Sequence, residues 1–253
     1  MSQMRKEVHM TGKDLMGMVQ LRPQDVGKYA IVPGPKERME AILKNLKDPI
    51  KNFSFMEYTM YTGSYENTKV TTINGGRFAA DTSITTEILC NAEVKYMIRA
   101  GSCGALREDM KVGDLIVVDT AIKGEGVTQY YVDKNFIPAA DRNLTRDIVS
   151  VAKTCAPASQ VYTGACWTTD SILRETREHV GNAIKQGAIA VDMVSAAFLT
   201  ICQLYKIPAA VILAVSDNVI TGEMGFMNPN YYFAETSMVK ICFELIRKME
   251  NKN

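Results

Sequence analysis

Seven short apolar runs, separated by segments with helical periodicity, constrain the fold of this chain more than any other feature. Each run is rich in β-branched residues and lacks polar alternation, which is typical of strands covered on both faces. The runs span residues 29–32, 70–73, 95–98, 115–118, 161–164, 188–191 and 209–215. Helices are predicted at 36–46, 83–92, 143–152, 170–184, 193–204 and 234–249. This alternation predicts an α/β fold.

The 253-residue chain has no feature that would divide it into separate units. It contains no linker rich in proline, glycine or serine, no block of like charges and no internal repeat. An apolar fraction of 47% supports one sizeable core. We therefore expect a single domain over residues 1–253.

Charge and cysteine content narrow the class of function. The 29 basic and 28 acidic residues give a net charge of +1, and no basic run is dense enough to predict nucleic-acid binding. The six cysteines lack C-x-x-C spacing and lie mostly in apolar segments, which indicates reduced structural thiols. Residues 1–7 lack the apolar core of a signal peptide, and no apolar stretch is long enough to cross a bilayer. These features favour a cytoplasmic protein that acts on small molecules.

A glycine-rich segment, Arg99-Ala-Gly-Ser-Cys-Gly-Ala-Leu106, follows the third apolar run. Ligands of open α/β sheets bind at the carboxyl ends of strands, where backbone amides, a hydroxyl and a guanidinium suit an oxyanion such as phosphate. Gly101 and Gly104 would allow a close approach, while Arg99 and Ser102 would supply donors. The alternative is a tight turn in which Arg99 pairs with a neighbouring carboxylate. This motif alone leaves the two interpretations equal.

Three further apolar runs end in polar residues, as they would around one shared cleft. The first is followed by Gly34 and Arg38, where backbone amides and a guanidinium would face an anion unless Arg38 simply points to solvent. The other two are followed by Asp192 and Asp217. Each aspartate is either a general acid beside a leaving group or the cap of the turn or helix that follows. Both alternatives stay open at this point.

Several other kinds of site are excluded by the residues present. His9 lies in a polar amino-terminal arm and His179 in a charged helical segment, and neither has the neighbours that a metal site requires. The chain has no Walker loop, no G-x-G-x-x-G and no G-x-S-x-G. Nucleoside-triphosphate and serine-hydrolase chemistry are therefore not expected.

Taken in order, these segments resemble the hexameric nucleoside phosphorylase family, which includes uridine, purine nucleoside and methylthioadenosine phosphorylases. The likeness extends almost end to end. It rests on Val8-His-Met10 with Ile31-Val-Pro-Gly34 and Arg38, on Arg99 to Gly104, on Val191-Asp-Met193 with Ser195-Ala196, and on Val215-Ser-Asp-Asn218. The resemblance implies a single α/β domain with a central twisted mixed β-sheet flanked by helices. It also implies dimers that join into a hexamer, with the sites at the dimer interface.

The resemblance further implies a role for each site residue. Phosphate is the co-substrate, and no metal or organic cofactor is needed. The bond to the base breaks with oxocarbenium character on the ribose, so bound phosphate stabilises that charge and then attacks. The implied roles are phosphate binding by Gly34, Arg38, Arg99 and Ser102; ribose binding by Asp192, Met193 and His9 of the neighbouring subunit; base binding by Cys103 and Gly104; and protonation of a purine ring nitrogen by Asp217.

Three positions depart from the family pattern. Val194 stands where the family has the glutamate that binds the ribose hydroxyls. Met56 stands where a phosphate-binding arginine of the neighbouring subunit is expected. The family's Gly-x-Gly-Gly-Pro-Ser loop is Gly75-Gly-Arg-Phe-Ala-Ala80 here, and Arg77 is a candidate substitute for the missing charge. The first two changes favour the alternative of a homologue that binds nucleosides without catalysis.

The same resemblance bears on the choice of base. The glutamine and arginine that read uracil have no counterpart between Thr176 and Gly187, and Val219 replaces another arginine of the pyrimidine enzymes. Asp217 favours a purine, although the arginine that assists it in the purine enzymes has no match at 228–230. We therefore expect phosphorolysis of a purine nucleoside, with uridine as the second choice. A hydrolytic nucleosidase is a further alternative, but two arginines that face phosphate argue against it.

Overall fold

The computed structural model describes residues 8–252 of the chain. Residues 1–7 and Asn253 lie outside the described residues. The sequence-based expectation that residues 1–7 do not form a signal peptide therefore concerns a segment that the structure does not describe. None of the helices within residues 8–252 is long and apolar enough to span a membrane.

Nine strands and seven α-helices alternate along the described chain. The strands are β1 Tyr29–Pro33, β2 Lys47–Phe55, β3 Tyr58–Tyr65, β4 Thr68–Ile73, β5 Tyr96–Ala105, β6 Leu115–Gly124, β7 Val161–Thr169, β8 Ala188–Asp192 and β9 Ala209–Asn218. The helices are α1 Gly12–Met18, α2 Lys36–Leu43, α3 Ala79–Asn91, α4 Arg142–Cys155, α5 Arg177–Lys185, α6 Ser195–Leu204 and α7 Pro229–Glu250. Short 3-10 turns lie between some of them, including one at Ile172–Arg174.

All nine strands belong to one mixed sheet, in the order β2-β3-β4-β1-β5-β8-β7-β6-β9. An additional pairing between β5 and β9 closes strands β5, β8, β7, β6 and β9 into a ring, from which β1, β4, β3 and β2 extend. Strand β5 is parallel to β1 and β9 but antiparallel to β8. The predicted α/β fold with a central mixed sheet is confirmed.

The core is divided into two large clusters by the sheet. One packs side chains of α3 and α6, such as Leu89 and Phe198, against the sheet. The other packs α2, α4 and α7 on it through residues such as Ile42, Ile148 and Ile246. The strands therefore lie between layers of helices, which explains why their sequences are apolar throughout.

Two strands have no apolar signature in the sequence and were not predicted from it. Strands β2 and β3 form an antiparallel hairpin at the edge of the sheet, and most of β2 is exposed. An exposed edge strand needs no buried face, so its residues do not carry the pattern that marks the inner strands. The hairpin turns at Met56, which has a positive φ of 52°. The short helix α1 was not predicted either; a reciprocal capping box between Thr11 and Asp14 starts it.

The glycine-rich segment after residue 98 is not a turn at the end of a strand, which corrects our expectation. Strand β5 continues through Arg99, Ser102 and Gly104 to Ala105, with partners on β1 and β9. Glycines occur there because neighbouring side chains crowd the strand, not because the chain reverses. Arg99 therefore lies in the middle of the sheet.

The helix expected at 170–184 begins later than predicted. A 3-10 turn covers Ile172–Arg174, and α5 starts at Arg177 with Thr176 as its N-cap. Asp170 is not the cap; its carboxylate accepts a hydrogen bond from the backbone of Gly126 at 2.8 Å. The remaining predicted helices are present with shifted ends, and the predicted apolar stripe of α7 is buried in the core.

Candidate functional site

A cleft of about 260 Å³ lies where β1, β5, β8 and β9 approach one another. It gathers nine of the predicted site residues: Gly34, Arg38, Arg99, Ser102, Cys103, Gly104, Asp192, Met193 and Asp217. Larger surface hollows, of about 290, 390, 470 and 570 Å³, each contain at most one of them. The four polar segments recognised in the sequence therefore do meet in one place.

Two positions that the resemblance connects with a neighbouring subunit lie away from this cleft. His9, which was expected to reach the ribose of another subunit, is exposed in the amino-terminal arm and is not part of the lining. Met56, which stands where the family has a phosphate-binding arginine, is 81% exposed at the tip of the β2–β3 hairpin and is also outside the lining. The role of His9 in the site of another subunit stays a prediction.

Arg99 is the most deeply buried cation at the cleft, with only 3% of its surface exposed. Its Nη2 lies 3.8 Å from Oδ2 of Asp192, but its Nε and Nη1 have no hydrogen-bond partner among the described residues. Burial lowers the pKa of Arg99 to about 10, an effect that nearby Asp192 partly opposes. A buried guanidinium with open donors is costly for the fold and suits an anionic ligand.

Glycines make room for the Arg99 guanidinium. A Cβ added at Gly76 would lie 2.9 Å from Nη1 of Arg99, and one added at Gly101 would lie 2.9 Å from Nη2. The Gly101 position also has Leu213 at 2.6 Å, so a side chain there would push against the core. The absence of side chains at these positions lets the cation pack against the backbone of the cleft wall.

Arg38 forms a second cationic wall and is also buried, at 5% exposure. Its Nη1 donates to the carbonyl of Ala100 at 3.2 Å, and its Nη2 donates to Glu235 and to the hydroxyl of Tyr231. Its Nε has no partner in the described part of the chain. Helix α2 begins at Lys36, so Arg38 lies in the first turn and faces the cleft rather than solvent.

Asp192 binds the start of α6 through its carboxylate, from a position two residues before the N-cap Val194. Its carboxylate accepts hydrogen bonds from Thr168 Oγ1 at 2.9 Å and from the backbone amide of Val194 at 3.1 Å. The backbone amide and hydroxyl of Ser195 also donate to it, at 3.0 and 2.7 Å. These donors fix the start of α6. A ribose hydroxyl would have to share an oxygen with them, and ribose binding by Asp192 stays a prediction.

Val194 does not face the cleft. Its side chain is fully buried and belongs to the core cluster under α6, whereas the preceding Met193 is half-buried in the cleft lining. The position at which the family pattern places a glutamate is therefore part of the hydrophobic core in this chain. The ribose hydroxyls receive no replacement from this residue.

Asp217 is half-buried in the cleft lining, on β9 beside Gly104 of β5. Its Oδ1 accepts from the hydroxyl of Ser216 at 2.7 Å, and its Oδ2 would be 3.0 Å from a Cβ added at Gly104. Asn218, not Asp217, caps the following turn, because its Oδ1 accepts from the amides of Ile220 and Thr221. Asp217 thus keeps an oxygen that is free of the turn, as a proton donor or acceptor requires.

Seven residues of the lining were not assigned to the site from the sequence: Pro35, Gly76, Arg77, Ile172, Glu175, Val191 and Ser216. Arg77 was only a candidate substitute, and Ile172 and Glu175 lie in a segment that the sequence did not single out. Ile172 and Glu175 reach the cleft because α5 starts late. Burial and the charge of Asp217 raise the pKa of Glu175 to about 7. Local sequence carries no signal for these two residues, because the contact between Asp170 and Gly126 that accompanies the late start joins distant parts of the chain.

The cleft therefore separates two kinds of chemistry. Arg38, Arg77 and Arg99 lie in the lining with Gly34, which follows β1, and Gly76, which follows β4, and they suit a dianion. Asp217 and Glu175 form a second, acidic group, which suits a proton transfer to a leaving group. Cys103 lies in the lining and is buried, and its thiol pKa is raised by that burial, so it is not a reactive thiolate.

Comparison with known proteins agrees with this geometry. A guanosine phosphorylase of Halorubrum lacusprofundi is 27% identical over 78% of this chain and 81% of its own length. A uridine phosphorylase of Thermococcus kodakarensis is also 27% identical, over 81% of this chain and 78% of its own. The crystal structure of purine nucleoside phosphorylase from Toxoplasma gondii in complex with immucillin-H has a TM-score of 0.83 at 22% identity and covers both chains fully, which shows a shared fold.

A family model described as the phosphorylase superfamily matches residues 28–247, a range that includes all nine strands and every residue of the cleft lining. The match thus spans the elements that build the site, from Tyr29 at the start of β1 into α7. The chain belongs to the phosphorylase superfamily.

Proposed function

We propose that this protein is a nucleoside phosphorylase, which transfers the ribosyl group of a purine nucleoside to phosphate and releases the free base. The observation that carries the proposal is the buried guanidinium of Arg99, whose Nε and Nη1 lack partners in residues 8–252 while it lines a cleft. Buried polar groups are rarely left without a partner in a native fold, and an unpaired buried guanidinium calls for a compensating ligand. An oxyanion is the ligand that fits best.

Phosphate would bind at the arginine-rich end of the cleft. Arg99 and Arg38 would donate to its oxygens, together with the hydroxyl of Ser102 and the backbone near Gly34. Arg77, which is exposed beside them, would supply the charge that Met56 no longer provides from a neighbouring subunit. Holding phosphate against the ribose stabilises the positive charge that develops at C1′ and orients the oxygen that attacks it.

The sugar and the base would occupy the remainder of the cleft. Met193 would pack against the ribose, with Asp192 behind it and His9 of the neighbouring subunit at its 5′ end. Cys103 and Gly104 would border the base, and Asp217 would protonate a ring nitrogen as the glycosidic bond breaks. Phosphate acts here as the co-substrate, and the proposed steps use no metal or organic cofactor.

The acidic end of the cleft supports a purine as substrate. Departure of a purine is made easier by protonation of its imidazole ring, for which Asp217 is placed in the lining. The relative from Halorubrum is named a guanosine phosphorylase, in line with this choice. Uridine is the alternative because the relative from Thermococcus is named a uridine phosphorylase.

We further propose a homo-oligomer built from dimers and reaching a hexamer. The exposure of His9 and of Met56, both outside the cleft of their own chain, supports sites completed across an interface. All six cysteines are free, which supports a reducing cytoplasmic location. Sedimentation of the purified protein measures the oligomer directly.

One experiment tests the proposed function. The protein is incubated with inosine, guanosine, adenosine, methylthioadenosine or uridine, with and without phosphate, and base release is followed. We expect release only with phosphate, and faster release from a purine nucleoside than from uridine. Release that does not depend on phosphate would indicate a hydrolase, and binding without release would indicate a non-catalytic homologue. Either outcome contradicts the proposal.

A further inference from the structure

Glu175 lies in the short segment between the 3-10 turn Ile172–Arg174 and helix α5, and its side chain lines the cleft. The carbonyl of the preceding residue, Arg174, is held by the backbone amide of Thr176 at 2.8 Å and by Nδ1 of His179 at 2.9 Å. These contacts restrict the backbone on both sides of Glu175. Its side chain is half-buried and is part of the cleft lining together with Asp217.

No hydrogen bond or ion pair within residues 8–252 compensates the Glu175 carboxyl group. The neighbouring cations Arg174 and Arg177 form no ion pair with it. Burial raises its pKa to about 7, and Asp217 adds to the increase. The charged and titratable groups that line the cleft around it are Asp217 on β9, Asp192 at the end of β8, Arg99 and Cys103 on β5, Arg38 on α2, and Arg77 in the loop before α3.

Among these groups, Asp217 is the one whose charge raises the pKa of Glu175. The Asp192 carboxylate is occupied by the amides and the hydroxyl at the start of α6, and Arg99 has unpartnered donors that suit an anion. The cleft thus holds an unpartnered buried cation that calls for a ligand, and two further carboxyl groups, those of Glu175 and Asp217. A half-buried carboxyl group with no partner, beside the negative charge of Asp217, retains its proton more readily than an exposed one.

We propose that Glu175 and Asp217 form a carboxylic acid–carboxylate pair that stores the proton delivered to the leaving base. The proposal rests on the proposed phosphorolysis and adds to it a positioning residue, Glu175, which acts through Asp217. Glu175 holds the proton between turnovers, and Asp217 passes it to the base nitrogen. The pair separates proton storage from proton delivery, which lets the acid stay loaded at neutral pH.

The proton balance of the step closes without another reactant. As the glycosidic bond breaks, its electron pair goes to the base, and the base nitrogen takes the proton from the carboxyl pair. An oxygen of HPO₄²⁻ forms the new bond to C1′ and gives a ribose phosphate that still carries the phosphate proton. Loss of that proton through water reloads the pair. The base leaves neutral, and both carboxyl groups return to their starting state.

The Glu175→Gln variant tests the pair through the pH dependence of phosphorolysis. The carboxyl that holds the proton is removed while its shape is kept, so kcat/KM falls by about 100-fold at pH 7.5. The alkaline limb of the kcat/KM profile also moves to lower pH by about one unit or more. Glu178→Gln, an exposed residue in the first turn of α5, is the matched control and keeps the wild-type profile.

The leaving group gives a readout that a merely structural role would not change. A purine nucleoside methylated at N7 already carries the positive charge and needs no proton, so Glu175→Gln cleaves it at nearly the wild-type rate. An unchanged alkaline limb in the variant overturns the pair, as does an equal loss with both substrates. A wild-type protein without phosphorolysis would instead contradict the proposed function, so the two failures are distinguishable.

Stability tests the shared proton without any catalysis. Because the pKa of Glu175 is raised in the folded state from its ordinary value near 4.5 to about 7, the folded protein binds more protons than the unfolded chain over that interval. Stability from this group is therefore present below about pH 4.5 and is lost as the pH rises toward 7. The urea midpoint of the wild type should fall more between about pH 5 and 8 than that of Glu175→Gln. Equal changes in the two proteins overturn the proposal.

Discussion

Two oppositely charged residues lie 3.8 Å apart at the cleft and are used in opposite ways. Arg99 is buried in the middle of β5 with two of its three guanidinium nitrogens unpartnered in the described chain. Asp192 is equally buried at the end of β8, but its carboxylate accepts from Thr168, Val194 and Ser195. Burial of a charged side chain therefore does not by itself identify a ligand site. Arg99 has unpartnered donors and can bind a ligand, whereas the hydrogen bonds of Asp192 stabilise the start of α6.

The largest expected effect is on catalysis, and Arg99→Met measures it. Methionine fills a similar volume but donates no hydrogen bond, so we expect kcat/KM for phosphate to fall by about 1,000-fold. The loss of unfolding free energy should be smaller than for a change at Asp192, because Arg99 is itself costly to bury and Asp192 keeps its other donors. Steady-state kinetics at varied phosphate give the first quantity and urea unfolding the second.

Arg107→Met is the matched control for Arg99, since Arg107 is exposed and its guanidinium contacts Asp109 and the ring of Tyr162 at the surface. It should leave both kinetics and stability near the wild-type values. If Arg99→Met kept high activity, Arg99 would not bind phosphate, and its unpartnered donors would not identify a ligand site.

The next effect is on stability, and Asp192→Asn measures it. The substitution removes the charge and turns one acceptor oxygen into a donor facing the amide and hydroxyl of Ser195. We expect the free energy of unfolding to fall by about 2–4 kcal/mol. The activity of the folded fraction should fall much less than that of Arg99→Met, since Asp192 acts through α6 and Arg99. Urea unfolding followed by circular dichroism provides the measurement.

A stable Asp192→Asn protein that has lost phosphate saturation would reverse the comparison. Asp192 would then be the residue committed to the ligand, and its hydrogen bonds to α6 would contribute little to the fold. Thr168→Val sharpens the outcome, because it removes one donor to Asp192 and leaves the charge and the backbone cap intact. It should cost less stability than Asp192→Asn.

The same contrast explains what the sequence could and could not predict. Inner strands such as β1, β5 and β9 bury both faces, so their apolar runs identify them, and the polar residues after them mark the cleft. Glu175 could not be found in this way. It lies in the segment between Asp170 and α5, where Asp170 binds the backbone of Gly126, a contact between residues far apart in sequence, and the helix starts only at Arg177.

The residue types near Asp192 and Asp217 also did not decide which aspartate binds the start of the next element and which one is free to transfer a proton. Asp192 and Asp217 each follow an apolar run, and each was open to the interpretation of cap or acid. The amide donors to Asp192 arise because α6 starts directly after β8, whereas the turn after β9 is capped by Asn218. The distinction depends on the direction in which the backbone leaves the strand, which residue type alone does not encode.

The smallest expected effects come from Met193 and Val194. These adjacent apolar residues differ in the same way as Arg99 and Asp192, because one contacts the cleft and the other stabilises the fold. Met193 lines the cleft and Val194 is fully buried in the core. Val194→Ala should therefore lower the free energy of unfolding by about 1–2 kcal/mol and leave the nucleoside KM unchanged, because it removes methyl groups from the core alone. Met193→Ala should do the reverse, with a several-fold rise in nucleoside KM and little loss of stability, because its side chain is only half-buried. A higher nucleoside KM in Val194→Ala would mean that the core under α6 positions the sugar. Val194 would then contribute to nucleoside binding as well as to stability.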